Sequence, residues 1–243
     1  MAQFPLITAH TGCMGTPDNS LASAQTALSL GADIIEDDIR VTRDGVLVLS
    51  HDDHVPCTDG QTGSLSSLTL QQLNDRAAEP VVLLETVLQL LLSHPGKRMN
   101  LDLKTDACIA PVADLVHKLN AAEHVFLTGC PYSRALQAAQ QAPSLKKLLN
   151  INTDRFLSGD YLSGVKQACE EAAHAGCFGL NVPYQLIRPE LLEHAADLEL
   201  PVYIWTVGTA REMSEYAKMG VHSITTRDVA TLMMVKQRWE EEL

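Results

Sequence analysis

Eight short apolar runs, each paired with a stretch of helical period, restrict the fold of this chain more than any other feature. The runs are FPLITAH, DIIEDDIRV, RMNLDLK, HVFLTG, LKKLLNI, CFGLNV, PVYIWTV and VHSITT. Between them lie segments such as DNSLASAQTALSLGA, LSGVKQACEEAAHAG and RPELLEHAADLEL, and several of these stretches start at Asp, Ser or Pro and stop at Gly, as capped helices do. Strands that alternate with helices read as parallel βαβ units. Eight such units in 243 residues match the count and length of a closed (β/α)8 TIM barrel, an α/β fold.

An open doubly wound sheet is the main competitor, and it usually carries a Gly-rich phosphate loop after its first strand. HTGCMGTPDN has two glycines there without the G-x-G-x-x-G spacing, which disfavours a dinucleotide fold. The alternation breaks once, at about residues 46–80, where a short strand, the turn-rich CTDGQTGSLSSLT and a small helix at LQQLND are expected as an insertion after the second strand. The expected organisation is therefore a single barrel domain over residues 1–243 with that excursion over its top.

Charge narrows the partners. With 18 basic against 30 acidic side chains the formal net charge is -12, which repels both a nucleic-acid backbone and an anionic membrane. The most apolar window, VVLLETVLQLLL, is interrupted by Glu85 and is far shorter than a bilayer span. The six cysteines form no C-x-x-C pair and read as small reduced hydrophobes. Together with the lack of a secretory pattern in MAQFPLITAH, this leads us to expect a cytoplasmic protein, monomer or homodimer, with no integral membrane segment.

Two of the strand candidates contain acids where a barrel strand should be apolar. Alternation puts Ile34, Glu36, Asp38 and Arg40 on one face of the second strand, and Asn100, Asp102 and Lys104 on one face of the third. Both faces of a barrel strand are covered by protein, so unpaired carboxylates there are costly. Glu36, Asp38 and Asp102 converging from two strands suit one hard divalent cation, Mg²⁺ or Ca²⁺. His10 ends the first strand and His51 follows the short strand VLVLS, both at the end where barrels carry their active sites. Imidazoles beside such an ion can act as general acid and base in cleaving a phosphate ester. Asp37, Asp53, His54 and Arg43 read as surface or turn residues, and the remaining histidines, His222 among them, as solvated.

The motifs AHTG, PDNS, EDD, TRDG, SHDD, NLDLK and WTVG fall in one order along the chain, which closes with GVHSITTRDVATL. In that order and spacing the chain resembles the glycerophosphodiester phosphodiesterase family. The resemblance implies hydrolysis of a small-molecule glycerophosphodiester to sn-glycerol 3-phosphate and an alcohol. It implies that Glu36, Asp38 and Asp102 hold the ion, that His10 and His51 are the acid and base, and that Lys104 faces the phosphate while Trp205 walls the glycerol. Thr11 occupies a substrate-binding position where the family has arginine, and Asp102 replaces the usual glutamate. The alternatives are a related diester, such as a sugar phosphodiester or a lysophospholipid head group, and a barrel that binds a phosphodiester without cleaving it. A metal-dependent isomerase or aldolase barrel ranks below these, since it does not need His10 and His51 in these places.

Overall fold

The computed structural model describes residues 3–241. In chain order the strands are β1 (Leu6–Ala9), β2 (Ile34–Val41), β3 (Leu47–Leu49), β4 (His54–Pro56), β5 (Thr62–Ser64), β6 (Arg98–Leu103), β7 (Val125–Thr128), β8 (Leu148–Asn150), β9 (Gly179–Pro183), β10 (Val202–Trp205) and β11 (Ser223–Thr226). The α-helices are α1 (Leu21–Ser29), α2 (Leu70–Arg76), α3 (Leu84–Leu92), α4 (Ile109–Lys118), α5 (Tyr132–Gln141), α6 (Thr153–Ser158), α7 (Tyr161–His174), α8 (Pro189–Asp197), α9 (Ala210–Met219) and α10 (Val229–Glu241).

Eight parallel strands follow one another in the order β7-β6-β2-β1-β11-β10-β9-β8, a nearly closed barrel ringed by helices. The seam between β7 and β8 is held by one bridge, Leu127 to Lys147, and by the Asn150 N–H donating to the Cys130 carbonyl at 2.9 Å. All eight expected strands are present. The helix α6 was not expected; Asn152 caps it by accepting from the Asp154 N–H at 3.1 Å, and its six residues are too few to show a period.

Residues projecting outward from the strands, such as Ile7, Ile35, Ile39, Leu101 and Leu127, pack against the helices in the main core. Inside the barrel, Ile34, Phe126, Leu148 and Tyr203 fill the lower half with Leu6 and Phe178. Phe126 meets Phe178 and Tyr203 with ring centroids 5.6 Å from each, a tilted and edge-on cluster that closes the bottom. His222 packs against this plug, its ring 5.0 Å from that of Tyr203. Desolvation on that side pushes its pKa down, while the residue keeps the exposure expected of it from sequence.

Between β2 and α3 the chain makes the expected short strand and small helix, and also an unexpected hairpin of β4 and β5 inside the turn-rich stretch. These three-residue polar strands carry no alternation to read. The more consequential strand is β3, which runs back antiparallel along β2 with Ile39 opposite Leu49. The TRDG turn makes this possible: Gly45 has φ 83°, and the Thr42 hydroxyl accepts from the Val46 N–H at 3.0 Å while donating to Asp44 at 2.6 Å. The hairpin returns the chain to the mouth of the barrel, where the Ser50 N–H donates to the Asp38 carbonyl at 2.9 Å.

All six cysteines are buried and free of disulfides. Among the described residues no helix is long and apolar enough to cross a membrane.

Candidate active site

The upper half of the barrel opens into a cavity of about 380 Å³ lined by His10, Glu36, Asp38, His51, Asp102, Lys104 and Trp205. Seven of the eight residues assigned to the site from sequence therefore share one hollow. Register explains the convergence. Asp38 pairs directly with Asp102 across β2 and β6, and Glu36 pairs with Asn100 one step below. One oxygen from each of Glu36, Asp38 and Asp102 lies within 4.8 Å of the others.

Neighbouring groups fix these carboxylates. The Asn19 side chain clasps Asp38 twice, donating to Oδ2 at 2.9 Å and accepting from the Asp38 N–H at 3.0 Å. The Thr128 hydroxyl lies 2.8 Å from Asp102 Oδ1 and 2.6 Å from Asn100 Oδ1. The Thr11 N–H donates to Glu36 Oε2 at 3.2 Å. Gly129, at φ 64°, lets the β7 loop pass over the site, because a Cβ there would stand 2.3 Å from the Leu103 carbonyl and 2.9 Å from Asp102 Oδ1.

Burial, and then the Asp38 and Asp102 charges, push the Glu36 pKa well above its ordinary value. Lys104 donates to Asp38 Oδ1 at 2.6 Å and also to Asp102. Burial pulls the Lys104 pKa down, but the Asp102 and Asp38 carboxylates outweigh it and the ammonium is held above its usual range. Three acids crowded around a partly buried hollow, one of them disfavoured as an anion, make a donor set that a hard divalent cation satisfies.

The two histidines are held through the same ring atom. His10 Nδ1 lies 2.8 Å from the Thr11 carbonyl, which can only accept, so the proton sits on Nδ1 and Nε2 of the neutral ring keeps its lone pair. His51 Nδ1 lies 2.9 Å from Asp52 Oδ1. That hydrogen bond and the His51 charge hold Asp52 below the usual carboxylate range. Arg40 steadies the loop by donating from Nε to the His51 carbonyl at 2.9 Å.

Two expectations need correction. Thr11 does not face the cavity: it is 2% exposed, and its hydroxyl accepts from the Asn19 N–H at 2.5 Å and bonds the carboxyl of Asp37. Asp37 is not a surface residue. It lies on the outward face of β2, 1% exposed, with Oδ1 lacking a hydrogen-bond partner among the described residues, and burial pushes its pKa up to about 8.

The cavity also takes in Asp18, Asn100, Thr128, Asn150, Asn181, Thr225 and Arg227, none of which was assigned a role from sequence. A signal was available for most of them. Asn100, Thr128, Asn150, Asn181 and Thr225 are polar residues inside barrel strands, and Thr128 and Asn150 stand at a strand's last position, towards the end where this fold delivers its functional groups.

A family model described as the glycerophosphoryl diester phosphodiesterase family matches residues 10–231. The chain is 27% identical over 244 residues to the glycerophosphodiester phosphodiesterase of Caldanaerobacter subterraneus subsp. tengcongensis, covering 94% of this chain and 96% of that one. It is 22% identical over 259 residues to a human lysophospholipase D, covering 89% and 81%. Among solved structures, an Oleispira antarctica phosphodiesterase in complex with the product sn-glycerol-3-phosphate superposes with a TM-score of 0.78 at 17% identity, over 96% of this chain and 97% of that one. The fold and the match along nearly the whole chain define a phosphodiester-cleaving barrel enzyme. The chain belongs to the glycerophosphoryl diester phosphodiesterase family.

Proposed function

We propose that the protein hydrolyses glycerophosphodiesters to sn-glycerol 3-phosphate and an alcohol, in a divalent-metal-dependent reaction with His10 and His51 as base and acid. The observation that carries this reading is the convergence of Glu36, Asp38 and Asp102 within 4.8 Å, in the same hollow as both imidazoles. Glu36, Asp38 and Asp102 would hold the ion, Mg²⁺ or Ca²⁺, which when bound supplies Lewis-acid polarisation of a phosphoryl oxygen. His10, with Nδ1 tied to a carbonyl, presents Nε2 to take the proton of the attacking oxygen. His51, with Asp52 behind it, gives a proton to the departing alcohol oxygen. Lys104 faces the phosphate from among the carboxylates, and Trp205, 38% exposed at the rim, offers a flat wall to the glycerol carbons. The buried unpaired thiols suit a reducing compartment, the cytoplasm, and one barrel domain spanning the chain contains every group named.

A second hollow of about 410 Å³ shares Asp18 with the first and is walled by Leu49, Val55, Leu65, Val81 and Val82. Together with the likeness to a lysophospholipase D, it favours a lysophospholipid as an alternative substrate.

Purified protein is incubated with glycerophosphocholine, glycerophosphoethanolamine or lysophosphatidylcholine, in Mg²⁺, Ca²⁺ or chelator, and glycerol 3-phosphate and free choline are assayed. Cation-dependent release of glycerol 3-phosphate, reduced roughly 10²–10⁴-fold in His10→Ala and again in His51→Ala, is expected. Choline released only from the lysolipid would select the second substrate. Metal binding without cleavage of any diester would leave a binding protein.

A further inference from the structure

We propose that Arg227 is the guanidinium that grips the phosphate of the substrate, from the β11 side of the cleft two strands round from β2, with Asp18 as its resting anchor. The inference rests on the reading of the cleft as a phosphodiester site. Ser223 and Thr225 alternate inward along β11, and the same period of two brings Arg227 next into the cavity. Ala9 pairs with Thr226, so Arg227 stands level with His10 on the neighbouring strand. Its backbone is pinned on both sides: the Met14 N–H donates to the Arg227 carbonyl at 2.8 Å, and Asp228 caps α10 by accepting from the Thr231 N–H at 3.0 Å.

The side chain reaches over the loop after β1, where Nη1 donates to Asp18 Oδ1 at 2.8 Å. Gly12 makes room for this pair. At φ +72° it has no side chain to collide, whereas a Cβ would stand 1.9 Å from Asp18 Oδ1 and 2.8 Å from Arg227 Nη1.

The other cations near the mouth already have protein partners. Lys104 can meet the phosphate only as a point charge shared with Asp38 and Asp102. Arg40 holds the His51 carbonyl, and Arg134 is spent on the Leu103 carbonyl and Asp106. Arg227 is the one arginine among the described residues that line the cavity, and its only anchor is half-exposed, 53% against its own 51%. Such a water-screened pair contributes little, so a phosphate with two oxygens presented to the guanidinium fork displaces Asp18 readily. Thr11, turned onto Asp37, supplies no competing contact.

The test compares wild type, Arg227→Ala, Arg227→Lys and Asp18→Asn in three readouts: calorimetric affinity for inorganic phosphate, KM and kcat for glycerophosphocholine, and rescue by added guanidinium, with melting curves as the check on folding. Loss of a charge-assisted contact should weaken phosphate binding and raise KM by roughly 10–100-fold in Arg227→Ala. Lysine should restore only part of this, guanidinium should recover some of the alanine variant's turnover, and Asp18→Asn should bind phosphate at least as tightly as wild type. Should Arg227→Ala unfold, the lysine and Asp18→Asn variants decide the matter alone. Phosphate affinity and KM within about twofold of wild type in a folded Arg227→Ala, or weaker phosphate binding in Asp18→Asn, would overturn the proposal. Phosphate binding that depends on Arg227 in a protein that cleaves no glycerophosphodiester would instead remove the functional reading and leave the anion contact standing.

Discussion

The lower and upper halves of the barrel interior are built by the same strands, yet they share almost no chemistry. β2 projects Ile34 below and Glu36 and Asp38 above; β7 projects Phe126 below and Thr128 above; β8 projects Leu148 below and Asn150 above. The lower residues touch one another and need no partner beyond van der Waals contact. The upper ones oppose each other, as Glu36 shows by resisting ionisation beside Asp38 and Asp102. Two residues along one strand thus separate a layer that holds the fold together from a layer that the fold must hold in place.

The largest effect should come from neutralising the upper layer. Glu36→Gln or Asp102→Asn is expected to lower turnover by roughly 10³-fold or more, while the melting temperature of Glu36→Gln in chelator stays level or rises. The sign follows from the raised Glu36 pKa: without a cation, the stability its neutral form contributes is lost as pH rises through that pKa, and glutamine does not titrate. A Glu36→Gln variant that unfolds with full activity per folded molecule would erase the distinction between the layers.

The converse change is Phe126→Ala, which hollows the lower layer between Phe178 and Tyr203. Denaturant unfolding should show a loss of about 3–5 kcal/mol, with kcat of the folded fraction unchanged. A proportionate fall in kcat would mean that the plug also sets the geometry of the site.

A smaller effect sharpens the comparison across the strand rather than along it. Asp37 faces outward from β2 between two inward acids, with one oxygen unpartnered and a pKa of about 8 in place of 3.8. A raised carboxyl favours the fold only while protonated, so its contribution is complete below about pH 4 and lost progressively up to about pH 8. Asp37→Asn should therefore stabilise the protein by about 1–3 kcal/mol at alkaline pH and much less near pH 5, read from melting curves across that range. Equal gains at both ends would show that Asp37 is not titrating there.

The sequence showed the strands and the acids of the upper layer because the acids interrupt apolar runs: Glu36, Asp38 and Asp102 stand out where a barrel strand should be apolar. The site residues it hid are those whose place depends on pairing between distant segments. Asn19 meets Asp38 only because the loop after β1 folds across β2, and Arg227 meets His10 only through the register of β11 with β1. Thr11 and Asp37 were misjudged together, since the contact that buries one against the other joins the turn after β1 to β2 and leaves no local pattern.

The claim underlying the whole account is that a divalent cation resolves the crowding of Glu36, Asp38 and Asp102. Calorimetric titration of Mg²⁺ and Ca²⁺ into metal-stripped protein, run beside the glycerol 3-phosphate assay, tests it most directly. The account predicts a single saturable site per chain that disappears in Asp102→Asn, and turnover that rises with its occupancy. Full turnover in chelator with no heat of binding would contradict it.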